Sequence, residues 1–168
     1  MMSISNNLAI IRERIYKACD RVKRDPETVR IVAVSKTVDV QRIIEAYQTG
    51  LTIFGENKVQ EVWEKYQALD IDVAWHLIGH LQTNKVKRAV QFIDVIQSVD
   101  SLHLATEINR RSKEIGKKSQ VFIQVNTSLE ESKFGVKPED VVGFLRKAAS
   151  FEYLNITGLM TIGPFVDN

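Results

Sequence analysis

Cysteine is nearly absent from this chain: Cys19 is the only one among 168 residues. A single cysteine cannot form an internal disulfide, and it cannot supply the set of thiolates that a cysteine-based metal site needs. Cys19 lies on the apolar side of the first predicted helix, so we interpret it as a packing residue. A chain of this length corresponds to one domain and buries roughly 70% of its unfolded surface.

Long apolar runs are also missing. No segment approaches the roughly 20 consecutive apolar residues of a membrane-spanning helix. The first residues, MMSISNNLAI, lack the basic region and the long apolar stretch of a secretory signal. We therefore expect a cytoplasmic location and no membrane partner.

A strong charge of either sign is absent, since the formal net charge is +2. Nucleic-acid surfaces need clustered basic residues, so we expect no nucleic-acid partner. Glycine-rich phosphate loops and the Gly-x-Ser-x-Gly elbow are missing too, which leaves nucleotide binding and serine hydrolysis without support. His76 and His80 lie four residues apart and would share one face of a strand. No obvious third ligand follows them, so we expect no metal site.

What the chain does contain is a regular alternation of strand and helix patterns. A helix pattern comes first, and it is followed by six apolar, β-rich segments separated by amphipathic stretches. Such alternation implies parallel strands joined by helices. It suits either a doubly wound sheet or a (β/α)8 barrel, which needs eight strands. The six predicted strands lie near residues 30–36, 51–54, 73–80, 94–99, 120–126 and 155–160.

The most informative residue is Lys36, which ends the first predicted strand in the run RIVAVSK. The carboxyl ends of strands are where α/β proteins bind their ligands. We expect an ammonium group half buried there to lose hydration, which favours the neutral amine. Such an amine forms Schiff bases with carbonyl compounds, including pyridoxal phosphate. Position alone also fits a solvated lysine just beyond a strand.

Other polar residues follow the predicted strand ends. Asn57, in FGENKVQE, either caps the next helix or offers its amide to a ligand beside Lys36. Glu56 is the acid that we expect to pair with Lys36 when the site is empty. His76 belongs to a polar strand-to-helix segment of the kind that binds anions. Met160, in GLMTIG, fits a packing role at the end of the last strand.

Together these segments resemble one known family. The strings AVSKTV, FGENKVQE, WHLIGHLQTNK, IQSVDS, ESKFGV and GLMTIG stand here in the order found in the YggS/PROSC family of pyridoxal-phosphate-binding proteins. The resemblance implies a (β/α)8 barrel like the N-terminal domain of bacterial alanine racemase, preceded by a helix. It also implies that pyridoxal 5′-phosphate (PLP) is the cofactor, held as a Schiff base on Lys36. We take Asn57, His76 and Met160 as further cofactor-binding residues and assign no catalytic residue.

The resemblance also predicts an incomplete barrel. Family members continue beyond the end of this sequence with the last two strands. There lie the Ser-x-Gly-Met-Ser and Val-Arg-Ile-Gly segments that hold the cofactor's phosphate. We therefore expect residues 1–168 to form a single PLP-binding barrel domain, incomplete at its C-terminal end, with reduced affinity for PLP. Open strand edges and exposed barrel interior favour self-association of this form, whereas we expect the full-length form to be a monomer.

By resemblance, the function is to hold PLP and to take part in vitamin B6 and amino- and keto-acid homeostasis without strong catalysis. The alternative is a PLP-dependent amino-acid racemase or lyase of modest activity. A racemase needs two opposed bases, and alanine racemases take the second, a tyrosine, from their other domain. Further alternatives are a Schiff-base aldolase on the same barrel and an interaction module whose Lys36 is only a surface residue. No second base is evident among Tyr16, Tyr47, Tyr66 and Tyr153.

Overall fold

A parallel sheet of six strands organises the protein, seen here in a computed structural model that describes residues 3–130 and 133–163. The strands are β1 (Ala33–Val34), β2 (Ile53–Glu56), β3 (Ala74–Leu77), β4 (Val95–Val99), β5 (Ser119–Gln124) and β6 (Leu154–Met160). The helices are α1 (Ile4–Arg21), α2 (Val40–Gln48), α3 (Val59–Ala68), α4 (Val86–Phe92), α5 (Leu102–Glu114) and α6 (Val141–Ala148). Within the described residues, no helix is both long and apolar enough to cross a bilayer.

The order of the strands decides between the two predicted architectures. Each strand pairs in parallel with the next one along the chain, so the sheet runs from β1 to β6 without a reversal. A doubly wound sheet reverses its strand order at a switch point, whereas a barrel adds each strand beside the last. The fold is therefore of the barrel type, as the alanine racemase resemblance predicted.

The first strand is much shorter than its sequence pattern predicted. The pattern covers residues 30–36, but only Ala33 and Val34 pair with β2, opposite Phe54 and Gly55. In the described chain β1 is an edge strand with a single neighbour, so fewer ladder hydrogen bonds define its ends. Lys36 therefore lies in a turn beyond the strand.

The helices form where capping residues at the ends and a stripe of apolar side chains along one face indicate the same segment. Asp39 caps α2 as a side-chain acceptor for the Arg42 backbone N–H, at 2.9 Å. Gly50 follows the C-terminal end of α2 with a backbone φ of 89°, a left-handed value that glycine adopts without strain.

The core lies between the helices and one face of the sheet. Helices α2 to α6 contribute apolar side chains to it, strands β2 to β6 supply others, and Ile4 of α1 packs against it. Cys19 is buried on α1, which confirms its predicted packing role. Because every βα unit packs in this way, the carboxyl ends of the strands are held at one common edge. Core residues that are almost completely buried include Ile43, Val62, Trp75, Leu77, Val86, Ile96, Ile108 and Ile123.

Candidate functional site

A cavity of about 470 Å³ lies at the carboxyl edge of the sheet. Its volume falls within the range of small-molecule sites, roughly 300–1,000 Å³. Lys36 follows β1, Asn57 follows β2, and Met160 ends β6, and all three side chains line this cavity. The rule that ligands bind at strand ends thus brings three of the four predicted residues together. Other lining residues include Val34, His80, Gln97, Gln124, Phe134 and Ile162.

Lys36 is exposed in the described structure, so the expectation that it is half buried is wrong. The physical reason is the position of β1 at the edge of the sheet, which leaves one side of the strand end uncovered. The residue sits in a turn in which the Val38 backbone N–H donates to the Ser35 carbonyl oxygen, at 3.0 Å. Thr37, next to Lys36, has φ of 62°, in the left-handed region. The amine therefore stands at the rim of the cavity, open to solvent.

The expected pairing of Glu56 with Lys36 is also wrong. Glu56 is completely buried, and its Oε1 accepts a hydrogen bond from Lys65 Nζ on α3 at 2.6 Å. The same oxygen accepts from the Ser35 hydroxyl at 2.6 Å. Sequence reasoning missed Lys65, although a signal was present: it lies three residues after Val62, inside the buried stripe of α3.

Asn57 does not cap α3, so that interpretation is wrong. The N-cap position belongs to Lys58, and no side-chain cap bond is present there. Asn57 is half buried, and its backbone lies against Gly79, where an added Cβ would come within 2.4 Å of the Asn57 carbonyl oxygen. Glycine at position 79 thus permits the contact that places Asn57 beside the cavity.

His76 lies apart from the cavity of Lys36. It is buried on β3 and lines a second cavity of about 640 Å³, which also contains Arg30 and Asp94. Burial, opposed by the nearby Asp94 carboxylate, lowers the pKa of His76. Nδ1 of the His76 ring lies 2.7 Å from Nε2 of Gln97. The two cavities share Val32 and Gln97 as lining residues, and His76 itself does not line the cavity of Lys36.

His80 is a cavity residue that we did not predict as one. β3 ends at Leu77, so His80 lies in the following loop and does not share a strand face with His76. Its ring stacks on Phe134 with 3.9 Å between centroids, and its Nδ1 lies 2.9 Å from Oδ2 of Asp100.

Residues 3–130 and 133–163 contain no group of three or more potential metal-ligating side chains. The ESKFGV string includes residues 131–132, which lie outside the described residues.

Fold and site together define a class of protein: a parallel α/β barrel that presents a lysine amine at its ligand-binding edge, beside an amide and apolar side chains. Comparison with known proteins then identifies the family.

Residues 6–168 match the alanine racemase N-terminal domain family. A pyridoxal phosphate homeostasis protein of Aquifex aeolicus is 40% identical over 168 residues, which cover 99% of this chain and 74% of that relative. One of Haemophilus influenzae is 38% identical over 170 residues, covering 99% and 72%. The structure of PipY of Synechococcus elongatus with PLP bound gives a TM-score of 0.82 at 35% identity, covering 98% of this chain and 72% of PipY. The chain therefore belongs to the alanine racemase N-terminal domain family, in the group of pyridoxal phosphate homeostasis proteins, which confirms the resemblance found in the sequence.

Proposed function

We propose that this chain binds PLP and holds it reversibly through Lys36, as a carrier in vitamin B6 and amino- and keto-acid homeostasis. The observation that carries the proposal is the placement of Lys36, Asn57 and Met160 around one cavity of ligand size at the carboxyl edge of the sheet. PipY, which is 35% identical and has PLP bound in its structure, supports the choice of ligand.

The side chains present fit the aldehyde end and the ring of such a ligand. When bound, PLP supplies an aldehyde that condenses with a primary amine, forming a C=N bond and releasing one water. Lys36 provides that amine, and its exposure gives an incoming aldehyde free access. Asn57 offers an amide donor and acceptor, and Met160 and Ile162 offer apolar surface for a ring.

The phosphate end of the ligand has fewer partners among these side chains. Lys36 is the one lysine or arginine among the cavity-lining residues of the described chain. Charge-assisted hydrogen bonds to a phosphate contribute about 1.5–3 kcal/mol each. We therefore propose that residues 1–168 act as one PLP-binding domain whose affinity is lower than that of the longer relatives.

We propose a carrier rather than an enzyme. The relatives from Aquifex aeolicus and Haemophilus influenzae are named homeostasis proteins. In the described structure none of the four tyrosines lines the cavity of Lys36, and Tyr16 instead lines a groove at the amino end of β1. The racemase or lyase alternative predicts exchange of the α-proton of an amino acid in deuterated water. We expect no such exchange above the rate of free PLP.

A visible absorbance spectrum of the purified chain with added PLP tests the proposal. We expect an imine band, and we expect borohydride reduction followed by peptide mass mapping to find the adduct on Lys36. Lys36→Ala should abolish both signals, while the control Lys118→Ala, an exposed lysine at the amino end of β5, should keep them. A band that persists in Lys36→Ala, or an adduct mapped elsewhere in the wild-type chain, would contradict the assignment.

A further inference from the structure

Three buried polar residues lie directly beneath the turn that carries Lys36. Ser35, Glu56 and Lys65 are 3%, 0% and 8% exposed. The Ser35 hydroxyl donates to Glu56, the Lys65 ammonium donates to the Ser35 carbonyl oxygen at 2.7 Å, and the Ser35 N–H donates to the Gly55 carbonyl oxygen at 2.9 Å. Every polar group of the residue before Lys36 is therefore engaged.

The gain in fold stability does not account for this cluster. Removing two opposite charges from water costs about as much as their attraction returns, so a buried ion pair is weak evidence of stabilisation. Glu56 also leaves Oε2 buried without a hydrogen-bond partner, which adds a further desolvation cost. What the Glu56–Lys65 pair does achieve is a fixed position for both the hydroxyl and the carbonyl oxygen of Ser35.

The residue after Lys36, Thr37, also lies near helix α3. Thr37 has a left-handed backbone, which costs energy for a residue with a branched side chain and persists only where the surroundings hold it. Glu61 on α3 is close to Thr37, and its Oε1 lies 3.4 Å from Lys58 Nζ. Although burial acts in the opposite direction, the Thr37 backbone N–H, the Lys58 ammonium and the nearby Glu56 side chain lower the pKa of the Glu61 carboxyl. Helix α3 thus contacts the residue before Lys36 through Lys65, and its Glu61 lies near the residue after it.

We propose that Glu56 and Lys65 are positioning residues, whose buried pair fixes the turn from Ser35 to Val38 and thereby keeps the Lys36 amine at the cavity. The inference rests on the proposed function, because Lys36 is the amine that receives the aldehyde. Misplacement of a reacting group by about 1 Å can slow a reaction by roughly two orders of magnitude. The pair therefore controls how fast Lys36 reacts rather than whether the chain folds.

The double variant Glu56→Leu/Lys65→Met separates these two roles. It replaces the ion pair with apolar side chains of similar size, a change that buried pairs commonly tolerate. We expect hydrogen exchange of the Val38 amide, measured without PLP, to become about tenfold faster or more, while amides of Val121 and Ile123 stay protected. We also expect borohydride-trapped labelling of Lys36 by PLP to slow about tenfold.

The matched control is Glu13→Leu/Lys17→Met on α1, an exposed pair with the same 2.6 Å separation. It should change neither the exchange of Val38 nor the labelling rate. If the buried double variant fails to fold, Ser35→Ala decides the question, since it removes one hydrogen bond to Glu56 and leaves the ion pair in place. Unchanged Val38 exchange in the folded variant would overturn the inference, and so would faster exchange with an unchanged labelling rate.

The proposed function fails in a different way. If wild-type Lys36 is not labelled at all, the assignment of the PLP site is wrong, and the exchange of Val38 still reports whether the pair holds the turn.

Discussion

Lys36, Asn57 and Met160 line one cavity because each of them follows or ends a parallel strand, and parallel strands end at one edge of the sheet. The strand-end rule predicted Lys36 and offered Asn57, whereas Met160 fitted a packing role and was taken as a binding residue only with the family resemblance. The position of Lys65 in the buried stripe of α3 indicated that it is buried, but not that Glu56 is its partner, because a helix stripe does not show which strand end it will reach. His76 lies on a strand rather than beyond one, and the cavity that it lines depends on side-chain direction within the barrel.

At the residue scale, His76 is expected to titrate below its ordinary pKa of 6.5. Burial disfavours the protonated ring in the folded state, so the unfolded chain binds the proton more readily. The stability that His76 contributes is therefore present above pH 6.5 and is lost as the pH falls below that value. NMR titration of the ring protons measures the pKa directly. A midpoint at or above 6.5 would show that the ring is more hydrated than its burial indicates.

At the element scale, α5 carries a network of charged side chains that are exposed or partly exposed. Glu107 accepts hydrogen bonds from Arg110 at 2.7 Å and from Arg111 at 2.8 Å, and both arginines also contact Glu114. The hydrogen bond from Arg110, opposed by slight burial and reinforced by Arg111, lowers the pKa of Glu107 to about 2. Helix spacing predicts such contacts from sequence, since residues three and four apart share a face.

The network predicts a small acid-sensitive contribution to stability. Because the pKa of Glu107 is lower in the folded state, its contribution is complete above pH 4.5 and is lost as the pH falls toward about 2. Arg110 and Glu114 are exposed and Glu107 and Arg111 are partly exposed, so solvent screens the pairs and Glu107→Gln should cost about 1 kcal/mol at pH 7. Denaturant unfolding at pH 7 and at pH 3 measures this difference. An equal cost at both pH values would show that the ion pairs contribute nothing.

Element boundaries were harder to predict than element order. The alternation of patterns predicted every strand of the described sheet, but β1 pairs over two residues only. An apolar run marks where a strand is possible, whereas its length depends on how many neighbours provide hydrogen bonds.

At the scale of the whole molecule, the sequence left two architectures open, because the order in which strands pair is a long-range property that periodicity does not encode. In the described structure β1 and β6 are the edge strands, and each carries exposed apolar side chains, Val34 at 52% and Leu159 at 58% exposure. Unpaired parallel edges with apolar surface favour association between chains.

We therefore predict that the 168-residue chain self-associates at micromolar concentration. Light scattering after size-exclusion chromatography measures its mass, and Val34→Lys/Leu159→Lys should shift the distribution toward a monomer of 19.2 kDa. Val142→Lys, which changes an apolar side chain of α6 that is 59% exposed and lies outside both edge strands, is the control. A wild-type chain that elutes as a monomer at all concentrations would contradict the prediction.

The strand order has a consequence for how the chain folds. Every strand pairs with the one made just before it, so each new βα unit meets a finished partner as soon as it leaves the ribosome. Each pairing therefore closes a single strand–helix–strand crossover rather than a longer loop, which limits the entropy cost of loop closure. The sheet can therefore assemble in the direction of synthesis, one unit at a time, and the turn that carries Lys36 is secured once β2 and α3 have been made.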